Sequence, residues 1–508
     1  MNACVFVTNF VIIIYFARLS PLVWQVIITS LKEPSLSYIR VSKHYVHLPY
    51  LFLGLAEAAL LGVSIWLAES LTLHFTDSVD YLLSATPTNW VPIILFSVLF
   101  SCCTLSMGVY TSLVREGFSS MVLRTLVSFF LLGSLSLFVI NLIFGDSLID
   151  QRVGFWAVII ASLLVLPARL IFIAIVDTAN LTRRVVIYGA GARTQKLLED
   201  LTANGETLGV CVVGCIPSPN DKILVDSTLI IVEPKEWVEF VKKERITEIV
   251  ISPDERRHTN GDIFPLSQFL DCKLAGIPAC DGLSFYEREL GKIELSLLQP
   301  SWMLFSDGFR YARRELIGKR CFDLLLALLF FIVLWPFMLL TALAVKLESP
   351  GPVLYHQVRV GLNGRHFRIY KFRSMRQDAE KAGQAVWAKK NDARVTRVGA
   401  FIRNTRLDEL PQLYNVLAGQ MSFVGPRPER PEFVKDLAQQ IPFYEARHKV
   451  KPGLMGWAQL KYPYGASVED AKNKLQYDLY YTKNHSFFMD MLIMIQTVEI
   501  ILLGKGVH

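Results

Sequence analysis

The sequence has few charged residues, and it lacks the cysteine patterns of a zinc-binding or disulfide-bonded protein. Only 19% of its 508 residues are charged, against about a quarter in ordinary soluble proteins. Its eight cysteines form no Cys-x-x-Cys pair and no Cys/His spacing suited to zinc. These absences exclude a disulfide-rich mini-protein and argue against an ordinary soluble enzyme. The length instead leaves room for a membrane region and two or more folded domains.

Lysine is missing from residues 48–175, which contain only four arginines. Apolar stretches at 49–67, 90–110, 121–144 and 155–176 are each close to the roughly 20 helical residues that cross a bilayer. They predict four transmembrane helices within residues 48–182. Arg169 lies inside the fourth stretch, where it either marks a functional site or extends towards the headgroups.

The distribution of basic residues predicts the orientation in the membrane. The loop from Glu69 to Trp90 holds no Lys or Arg, whereas the other flanks hold several. By the positive-inside rule, the N-terminus and everything after Val176 face the cytoplasm. No basic region precedes the apolar residues 5–17 in the manner of a signal peptide. We therefore interpret residues 1–47 as a cytoplasmic or interfacial segment.

Residues 183–311 have the pattern of a Rossmann-like α/β domain. A strand, a glycine turn at Gly189 and Gly191, and a helix open the segment, and further strands are predicted at 209–216, 229–232 and 246–252. Dinucleotide binding is weakly indicated, because Thr194 replaces the third glycine and no acidic residue ends the second strand. We predict an open, mostly parallel sheet in a regulatory or structural module. A nucleotide-sugar oxidoreductase or epimerase is the alternative.

A fifth apolar stretch covers residues 322–345 and contains Pro336. Basic residues crowd both of its ends, so the charge rule places both ends on one side of the membrane. Proline removes a helical hydrogen bond, which favours a break. We predict a re-entrant helix at about 320–346, with a true span as the alternative. Residues 484–503 predict either an amphipathic helix at the membrane surface or a core helix.

An acidic pair, Asp408 and Glu409, precedes a predicted helix that starts near Pro411 and stops at Gly419. The pair is accompanied by basic residues, namely Lys371, Arg373, Arg403 and Arg427. Carboxylates repel a phosphate unless cations or a divalent metal neutralise the charge, so this mixture suits phosphoryl transfer by a carboxylate nucleophile. Alternatively, Thr405 and Asp408 form a helix capping box and the cations contact solvent or anionic lipid.

Several motifs in this part of the chain resemble one family. They are Lys319-Arg320-x-x-Asp323, Ser349-Pro350-Gly351-Pro352, Lys371-Phe372-Arg373-Ser374-Met375, Asp392-x-Arg394-x-Thr396, Arg403-x-x-x-Leu407-Asp408-Glu409-Leu410-Pro411-Gln412, Val424-Gly425-Pro426-Arg427-Pro428 and Lys451-Pro452-Gly453-Leu454-x-Gly456. In this order they are similar to the bacterial sugar transferases that act as polyprenyl-phosphate hexose-1-phosphate transferases. The whole layout resembles the long members, which initiate exopolysaccharide or O-antigen synthesis.

The resemblance implies a mostly helical monotopic phosphoglycosyl transferase domain at residues 312–508, with a membrane-helix break at Pro336. It implies Asp408 as nucleophile and Mg²⁺ ligand, and Glu409 as its dyad partner. Substrate or phosphate binding is implied for Lys371, Arg373, Arg403, Gln412 and Arg427. The implied reaction is ping-pong: a UDP-sugar releases UMP, and polyprenyl phosphate then takes the hexose phosphate from the aspartyl adduct.

The same resemblance implies the setting of the protein. We expect a multi-pass protein of the bacterial inner membrane whose catalytic domain faces the cytoplasm. The expected partners are a UDP-sugar, polyprenyl phosphate, the lipid bilayer, downstream glycosyltransferases and a second copy in a homodimer, with no nucleic acid. A non-enzymatic scaffold for polysaccharide assembly is a further alternative, although it would require a decayed acidic site, and the charged positions named above are all filled.

Overall fold

The structure, a computed structural model, describes residues 38–41, 44–75, 90–107, 118–145, 148–175, 183–203, 210–219, 221–255, 264–298, 300–309, 313–376, 394–463, 465 and 467–503. Residues 1–37, most of the predicted cytoplasmic or interfacial segment 1–47, lie outside the described residues. Contacts divide the chain into two units. The first consists mainly of Tyr45–Ser97 and Asp150–Phe285, and the second mainly of Val98–Ile149 and Tyr286–His508.

Apolar helices follow a short pair of strands in the amino-terminal part of the chain, as predicted. The elements are β1 (Tyr38–Val41), β2 (His44–His47), α1 (Leu48–Phe75), α2 (Trp90–Ser106), α3 (Phe118–Leu126), α4 (Ser134–Phe144) and α5 (Gln151–Ile175). A π-helical segment, Val127–Gly133, joins α3 to α4. Three of the four predicted spans, in α1, α3–α4 and α5, are long and apolar enough to cross a membrane, whereas the fourth, α2, is an apolar helix of only 17 described residues. The chain is therefore a membrane protein.

A buried ion pair joins α1 to α5. Arg169 donates hydrogen bonds of 2.6 and 2.7 Å to the two carboxylate oxygens of Glu57, and both residues are almost fully buried. The interpretation of Arg169 as a residue that extends towards the headgroups is therefore wrong. A charge at membrane depth is tolerated when a counter-charge compensates it, and this pair fixes how the two helices face each other.

Removing one partner of this pair is expected to destabilise the helices. The variant Glu57→Leu leaves the Arg169 charge uncompensated by its carboxylate, and breaking a buried pair costs about 3–5 kcal/mol. Thermal unfolding in detergent is the measurement, with a lower midpoint expected. The double variant Glu57→Leu/Arg169→Leu should recover most of the loss, and Glu69→Leu on the same helix should change little. A single variant as stable as the parent protein would contradict this role.

A four-stranded parallel sheet forms the rest of the first unit and confirms the predicted Rossmann-like architecture. Its strands are β3 (Arg183–Tyr188), β4 (Val210–Ile216), β5 (Glu248–Ile251) and β6 (Ala279–Asp281), in the order β4-β3-β5-β6. Its helices are α6 (Ala192–Ala203), α7 (Trp237–Lys243), α8 (Leu266–Leu274) and α9 (Gly282–Leu290). Aromatic side chains fill one side of the sheet, with Tyr188, Trp237 and Phe269 packed edge to face.

One predicted strand of this sheet, at residues 229–232, is wrong. The segment contains the end of a 3₁₀ turn, Ser227–Leu229, and a single parallel bridge between Ile230 and Cys215. Pro234, two residues beyond the segment, cannot donate to a ladder, which limits pairing in this short run. The edge strand β6 was not predicted, because its three residues carry no alternating pattern.

The second unit carries the acidic pair. Besides α3, α4 and the end of α9, its elements are α10 (Pro300–Phe305), α11 (Arg313–Glu348), β7 (Leu354–Val360), β8 (His366–Phe372), α12 (Arg397–Asn404), α13 (Gln412–Leu417), β9 (Ser422–Val424), α14 (Pro431–Gln440), β10 (Gly453–Met455), α15 (Trp457–Lys461), α16 (Val468–Asn484) and α17 (Phe487–Leu503). Strands β7 and β8 form an antiparallel hairpin, and β9 pairs in parallel with β10. Short 3₁₀ turns occur at Leu362–Gly364, Leu407–Glu409 and Tyr444–Lys449.

The long helix α11 packs against this unit along one face in both of its halves. In the first half, Arg320 donates to the carbonyls of Val416 and Leu417 at 2.6 and 2.7 Å. The buried Asp323 accepts from the Phe423 amide at 3.1 Å. In the second half, Val345 belongs to a buried cluster with Phe372 and Ile402. The Lys-Arg-x-x-Asp motif therefore attaches the helix to the domain.

The opposite face of α11 is apolar and exposed, and Leu325 and Leu340 have 71% and 63% of their surface accessible. The helix continues on both sides of Pro336, so the proline lies within one continuous helix and not in a non-helical break. Its 36 residues would span about 54 Å if straight, more than the roughly 30 Å of bilayer hydrocarbon. The return of the chain to the same membrane face stays a prediction.

Helix α17 has features of both alternatives predicted for residues 484–503, a core helix and an amphipathic helix at the membrane surface. Met489 and Ile493 are fully buried, which is the behaviour of a core helix. Phe487 is 57% exposed on the other side, and its ring packs edge to face on Phe322 of α11 at 5.3 Å. One face of α17 therefore belongs to the domain core, and its start adds apolar surface beside α11.

Candidate active site

The acidic pair lies in a tight turn between α12 and α13. Asp408 and Glu409 form the 3₁₀ turn Leu407–Glu409, and the preceding residue, Arg406, has a φ of 59°. A left-handed conformation is unfavourable for a residue other than glycine, and such strain is concentrated at functional sites. Thr405 donates its hydroxyl hydrogen to the carbonyl of Phe401 at 2.9 Å. The capping-box alternative is therefore wrong, because Thr405 belongs to the end of α12.

Glu409 is held by two cations. Lys371 of β8 donates to Glu409 Oε1 at 2.7 Å, and Arg427 donates to the same oxygen at 3.0 Å. Burial alone would raise the pKa of Glu409, but these two cations outweigh it and hold the pKa well below its usual range. Burial in turn lowers the pKa of Lys371, although Glu409 opposes that change. The structure thus brings together three of the predicted site residues.

Asp408 differs from its neighbour because its carboxylate makes no hydrogen bond or ion pair to any residue that the structure describes. The residue is only 7% exposed. Burial raises the pKa of Asp408 above its ordinary value, while the Lys371 charge opposes that rise and the Glu409 charge adds to it. A buried carboxylate without donors is a stronger nucleophile than one stabilised by hydrogen bonds. The geometry therefore distinguishes the two acids chemically.

Helix α13 contributes little to the charge balance of the site. It has six residues, from Gln412 to Leu417, so its dipole is weak compared with the cations that contact Glu409. The predicted helix stop is confirmed, since Gly419 has a φ of +78°. Gln412 is 3% exposed, and its Nε2 finds no acceptor among the described residues. A donor beside the acidic pair is thus available to a ligand.

The remaining two predicted cations have different surroundings. Arg403 donates from Nε to the Ser374 hydroxyl at 2.8 Å and lies close enough to act on the pKa of Asp408. Arg373 donates to the carbonyls of Val345, Ser349 and Pro350 at 2.6–3.3 Å. Arg373 therefore holds the end of α11, and its role in phosphate binding stays a prediction.

Glycines allow two motif loops to pack backbone against backbone behind Arg427. A Cβ atom on Gly425 would lie 2.2 Å from the Lys451 carbonyl, and one on Gly453 would lie 2.1 Å from the Gly425 nitrogen. These approaches exclude any side chain, and they permit the pairing of β9 with β10. The Gly-Pro-Arg-Pro and Lys-Pro-Gly motifs are thereby joined into one support for Arg427.

Sequence reasoning missed a second support of Arg427. Arg447 donates to the Arg427 carbonyl at 2.9 Å and forms an ion pair of 2.7 Å with Asp478 of α16. Both residues are buried, and burial raises the pKa of Asp478 to about 6. An aspartate among the leucines and tyrosines of residues 475–481 was the signal in the sequence, because a buried acid requires a partner.

Asp408 is the residue that would hold the magnesium ion implied by the family resemblance. Mg²⁺ is commonly held by one or two carboxylates, with substrate phosphate and water completing its shell. Asp408 offers a carboxylate that no described residue occupies. The described residues include no group of three or more His, Cys, Asp or Glu side chains that could hold a metal by themselves. Any magnesium here would therefore depend on the substrate for most of its ligands.

The glycine turn of the parallel sheet is occupied by the protein's own carboxylates. Asp254 accepts from the amides of Ala192 and Arg193 at 2.8 and 2.9 Å, and Asp221 accepts from the Ala190 amide at 2.9 Å. In a dinucleotide-binding fold these donors face the pyrophosphate. The geometry favours the predicted structural or regulatory module over the oxidoreductase alternative.

This arrangement predicts that the protein does not bind NAD(P) or coenzyme A through the glycine turn. The Asp254 carboxylate would repel a pyrophosphate and occupies its donors, so neither cofactor should shift the unfolding midpoint of the full chain in a thermal-shift measurement. UMP, which is proposed below to bind at the Asp408 site, serves as the positive control. Tightly bound NAD(P) in purified protein would overturn this expectation.

Two family models match the chain. The one described as "Bacterial sugar transferase" matches residues 314–504, which contain the acidic pair and its cations. The one described as "CoA-binding domain" matches residues 106–253, which include strands β3–β5 of the parallel sheet. The second match ends immediately before Asp254, so the residue that closes the glycine turn lies just outside it.

Individual relatives give the same result. The chain is 44% identical over 238 residues to a UDP-N-acetylgalactosamine-undecaprenyl-phosphate N-acetylgalactosaminephosphotransferase of Aeromonas hydrophila, covering 46% of this chain and 55% of that protein. It is 34% identical over 335 residues to a UDP-glucose:undecaprenyl-phosphate glucose-1-phosphate transferase of Xanthomonas campestris pv. campestris, covering 64% and 68%. It is 44% identical over 198 residues to the exopolysaccharide production protein PSS of Rhizobium leguminosarum bv. phaseoli, covering 38% and 99%.

The first of these matches spans about half of the Aeromonas protein, whereas the second extends over two thirds of the Xanthomonas protein and includes more than the catalytic part. The match to the Rhizobium protein covers nearly all of that relative and about two fifths of this chain. Together with the ordered motifs and the site geometry, these similarities show that the chain belongs to the bacterial sugar transferase family.

Proposed function

We propose that this protein transfers a hexose-1-phosphate from a UDP-sugar to polyprenyl phosphate at the membrane, releasing UMP and initiating a glycan such as an exopolysaccharide. The observation that carries the proposal is the asymmetry of the acidic pair. Glu409 is bound by Lys371 and Arg427, whereas the Asp408 carboxylate is buried and accepts no hydrogen bond from the described residues. One acid is thus held in place, and the other is available to react.

The proposed reaction has two half-reactions at Asp408. Its carboxylate oxygen attacks the phosphorus that bears the sugar, the bond to the bridging oxygen of the diphosphate breaks, and UMP leaves with the electron pair. An oxygen of polyprenyl phosphate then attacks the same phosphorus, and the aspartyl–phosphorus bond breaks. The product is polyprenyl-diphosphate-sugar, and Asp408 returns as a carboxylate. Each half places a nucleophile and a phosphate in fixed contact, which supplies much of the rate.

The surrounding cations stabilise the charge that the phosphates bring. Lys371 and Arg427 contact Glu409, so that one carboxylate orients two cations towards the reacting phosphorus. Arg403, held by Ser374, adds positive charge near Asp408. When bound, Mg²⁺ would be held by Asp408 and the substrate phosphates and would neutralise charge on the diphosphate. Preorganised positive charge of this kind commonly supplies most of the rate enhancement in phosphoryl transfer.

Helix α11 supports the membrane part of the proposal. Both of its halves pack on the part of the second unit that carries the acidic pair, the catalytic unit (within Tyr286–His508). The contacts are made through Arg320 and Asp323 on one side of Pro336 and through Val345 on the other. A helix that crossed the bilayer would contact its domain through only one of its two halves. We therefore propose that α11 enters and leaves the same leaflet, with its exposed apolar face in lipid and the acidic pair near the headgroups of the cytoplasmic leaflet. A homodimer and downstream glycosyltransferases stay predictions of the sequence.

Intact-protein mass spectrometry tests this function. The detergent-purified full chain is incubated with Mg²⁺ and one UDP-sugar at a time, without a lipid acceptor. A mass gain of one hexose phosphate, or of one acetamidohexose phosphate, identifies the covalent step and the sugar together. Subsequent addition of polyprenyl phosphate should restore the original mass. Transfer of the sugar phosphate to lipid without any adduct at short times would instead indicate direct displacement.

A further inference from the structure

A short helix ahead of the family-matched region presents large apolar side chains to solvent. Helix α10 spans Pro300–Phe305 and precedes residue 314, where the sugar-transferase match begins. Leu304 and Phe305 have 77% and 83% of their surface exposed. Both belong to the catalytic unit, and neither has a role in the proposed reaction.

The other side of α10 is fixed to the catalytic unit. The Trp302 ring lies 4.0 Å from the Lys483 ammonium group, and the Phe309 amide donates to the Lys483 carbonyl at 3.2 Å. Lys483 is buried and forms an ion pair of 2.6 Å with Glu287. The exposure of Leu304 and Phe305 is therefore not that of a loosely attached segment.

The position of α10 links its apolar residues to the exposed face of α11. Lys483 lies in the last turn of α16, and α17 begins four residues later at Phe487. Phe487 is 57% exposed and packs on Phe322 of α11. Near the start of α11, Leu316 and Ile317 are 47% and 57% exposed. Exposed apolar side chains thus occur on α10, at the start of α17 and at the start of α11, and the Trp302–Lys483 and Phe487–Phe322 contacts connect these elements.

Basic residues accompany this apolar surface. Arg313 and Arg314 open α11, and both are exposed. An apolar surface with arginines at its margin and a tryptophan beside it matches the interfacial zone of an anionic bilayer. A second protein copy would fit the apolar residues alone, whereas the continuity with α11 and the charges favour lipid.

We propose that α10 is an additional membrane-contacting element, which inserts Leu304 and Phe305 into the lipid interface beside the start of α11. Together with α11 it would fix the depth at which the catalytic unit meets the headgroups. This contact lies outside the catalytic domain that defines the family, and it requires neither UDP-sugar nor turnover.

Photo-crosslinking from lipid tests the proposal on the full chain. The protein is reconstituted in nanodiscs that contain phosphatidylglycerol and a phospholipid with a diazirine in its acyl chain, illuminated, and digested with trypsin. The peptide from Ile293 to Arg310 contains Leu304 and Phe305. We expect lipid adducts on these two residues at least about tenfold above the controls, as for surface that is buried in lipid.

The controls are two apolar side chains that are similarly exposed but lie next to a charged residue in the sequence. Val232 and Leu274 have 87% and 78% of their surface exposed and adjoin Glu233 and Lys273. Labelling of Leu304 and Phe305 no higher than that of these two residues would overturn the proposal. Crosslinks between two protein copies at these positions, in place of lipid adducts, would overturn it in favour of a dimer contact.

A variant separates this contact from the chemistry. Leu304→Ser/Phe305→Ser removes exposed side chains only, so the protein should fold, and lipid labelling of the neighbouring Trp302 should fall at least about threefold as the helix leaves the interface. Unchanged labelling of Trp302 would show that the two side chains do not anchor α10. Because the readout is labelling and not activity, failure of the proposed transferase function would leave this result interpretable.

Discussion

The variant Asp408→Asn is expected to form no sugar-phosphate adduct and to lose turnover by at least about 1000-fold. The amide has nearly the same shape as the carboxylate but cannot attack phosphorus. Because burial raises the pKa of Asp408, the ionised carboxylate is unfavourable in the folded protein at neutral pH. Removing that charge should therefore keep or raise the unfolding midpoint. Loss of activity with unchanged or improved stability is the combination to measure.

Two companion variants make this result specific. Asp436→Asn carries the same change at an exposed position of α14 and should leave both rate and stability unchanged. Glu409→Gln retains the nucleophile but weakens the hold on Lys371 and Arg427, so the adduct should form more slowly. If Asp408→Asn formed the adduct and Glu409→Gln did not, Glu409 and not Asp408 would be the nucleophile.

The variant Lys371→Met should lower the rate of adduct formation by about 100-fold to 1000-fold, as for loss of one preorganised cation. It should also move the acid limb of the pH–rate profile to higher pH. The Lys371 charge lowers the pKa of both Asp408 and Glu409. Its removal lets the pKa of Asp408 rise, and the ionised nucleophile is then lost at a higher pH as the solution is acidified.

Single-turnover rates of adduct formation across the pH range provide this measurement. Lys435→Met, at an exposed position of α14, is the matched control and should leave the profile in place. An acid limb that stays in place or moves to lower pH would show that Lys371 does not act on the nucleophile. A loss confined to KM for the UDP-sugar would indicate that it serves binding alone.

The sequence predicted most of the elements that position the site. Hydropathy located the apolar helices, because a span requires a long uninterrupted run. The strand-turn-helix pattern at 183–194 located the start of the parallel sheet. Prediction failed for the strand at 229–232 and missed β6, since short strands at the edges of a sheet depend on neighbours that the local pattern does not contain.

The candidate residues of the site were also identified from the sequence, but the different contacts of its basic residues were not. The family resemblance assigned Lys371, Arg373, Arg403 and Arg427 alike to substrate or phosphate binding. The structure directs Arg373 to the carbonyls that follow α11 and pairs Lys371 and Arg427 with Glu409. Residue type determines which bonds a side chain can form, and only the fold decides which partner lies within reach.

By itself, the sequence determined the classes of structure and chemistry in this protein: apolar helices for a membrane, a parallel sheet, and an acidic pair among cations. These follow from composition and local periodicity, which are properties of consecutive residues. Tertiary structure alone decided that Glu57 neutralises Arg169, that Asp254 closes the glycine turn, and that Asp408 stays without a donor among the described residues. Each depends on residues far apart in the chain, whose distances and shared burial set the electrostatics.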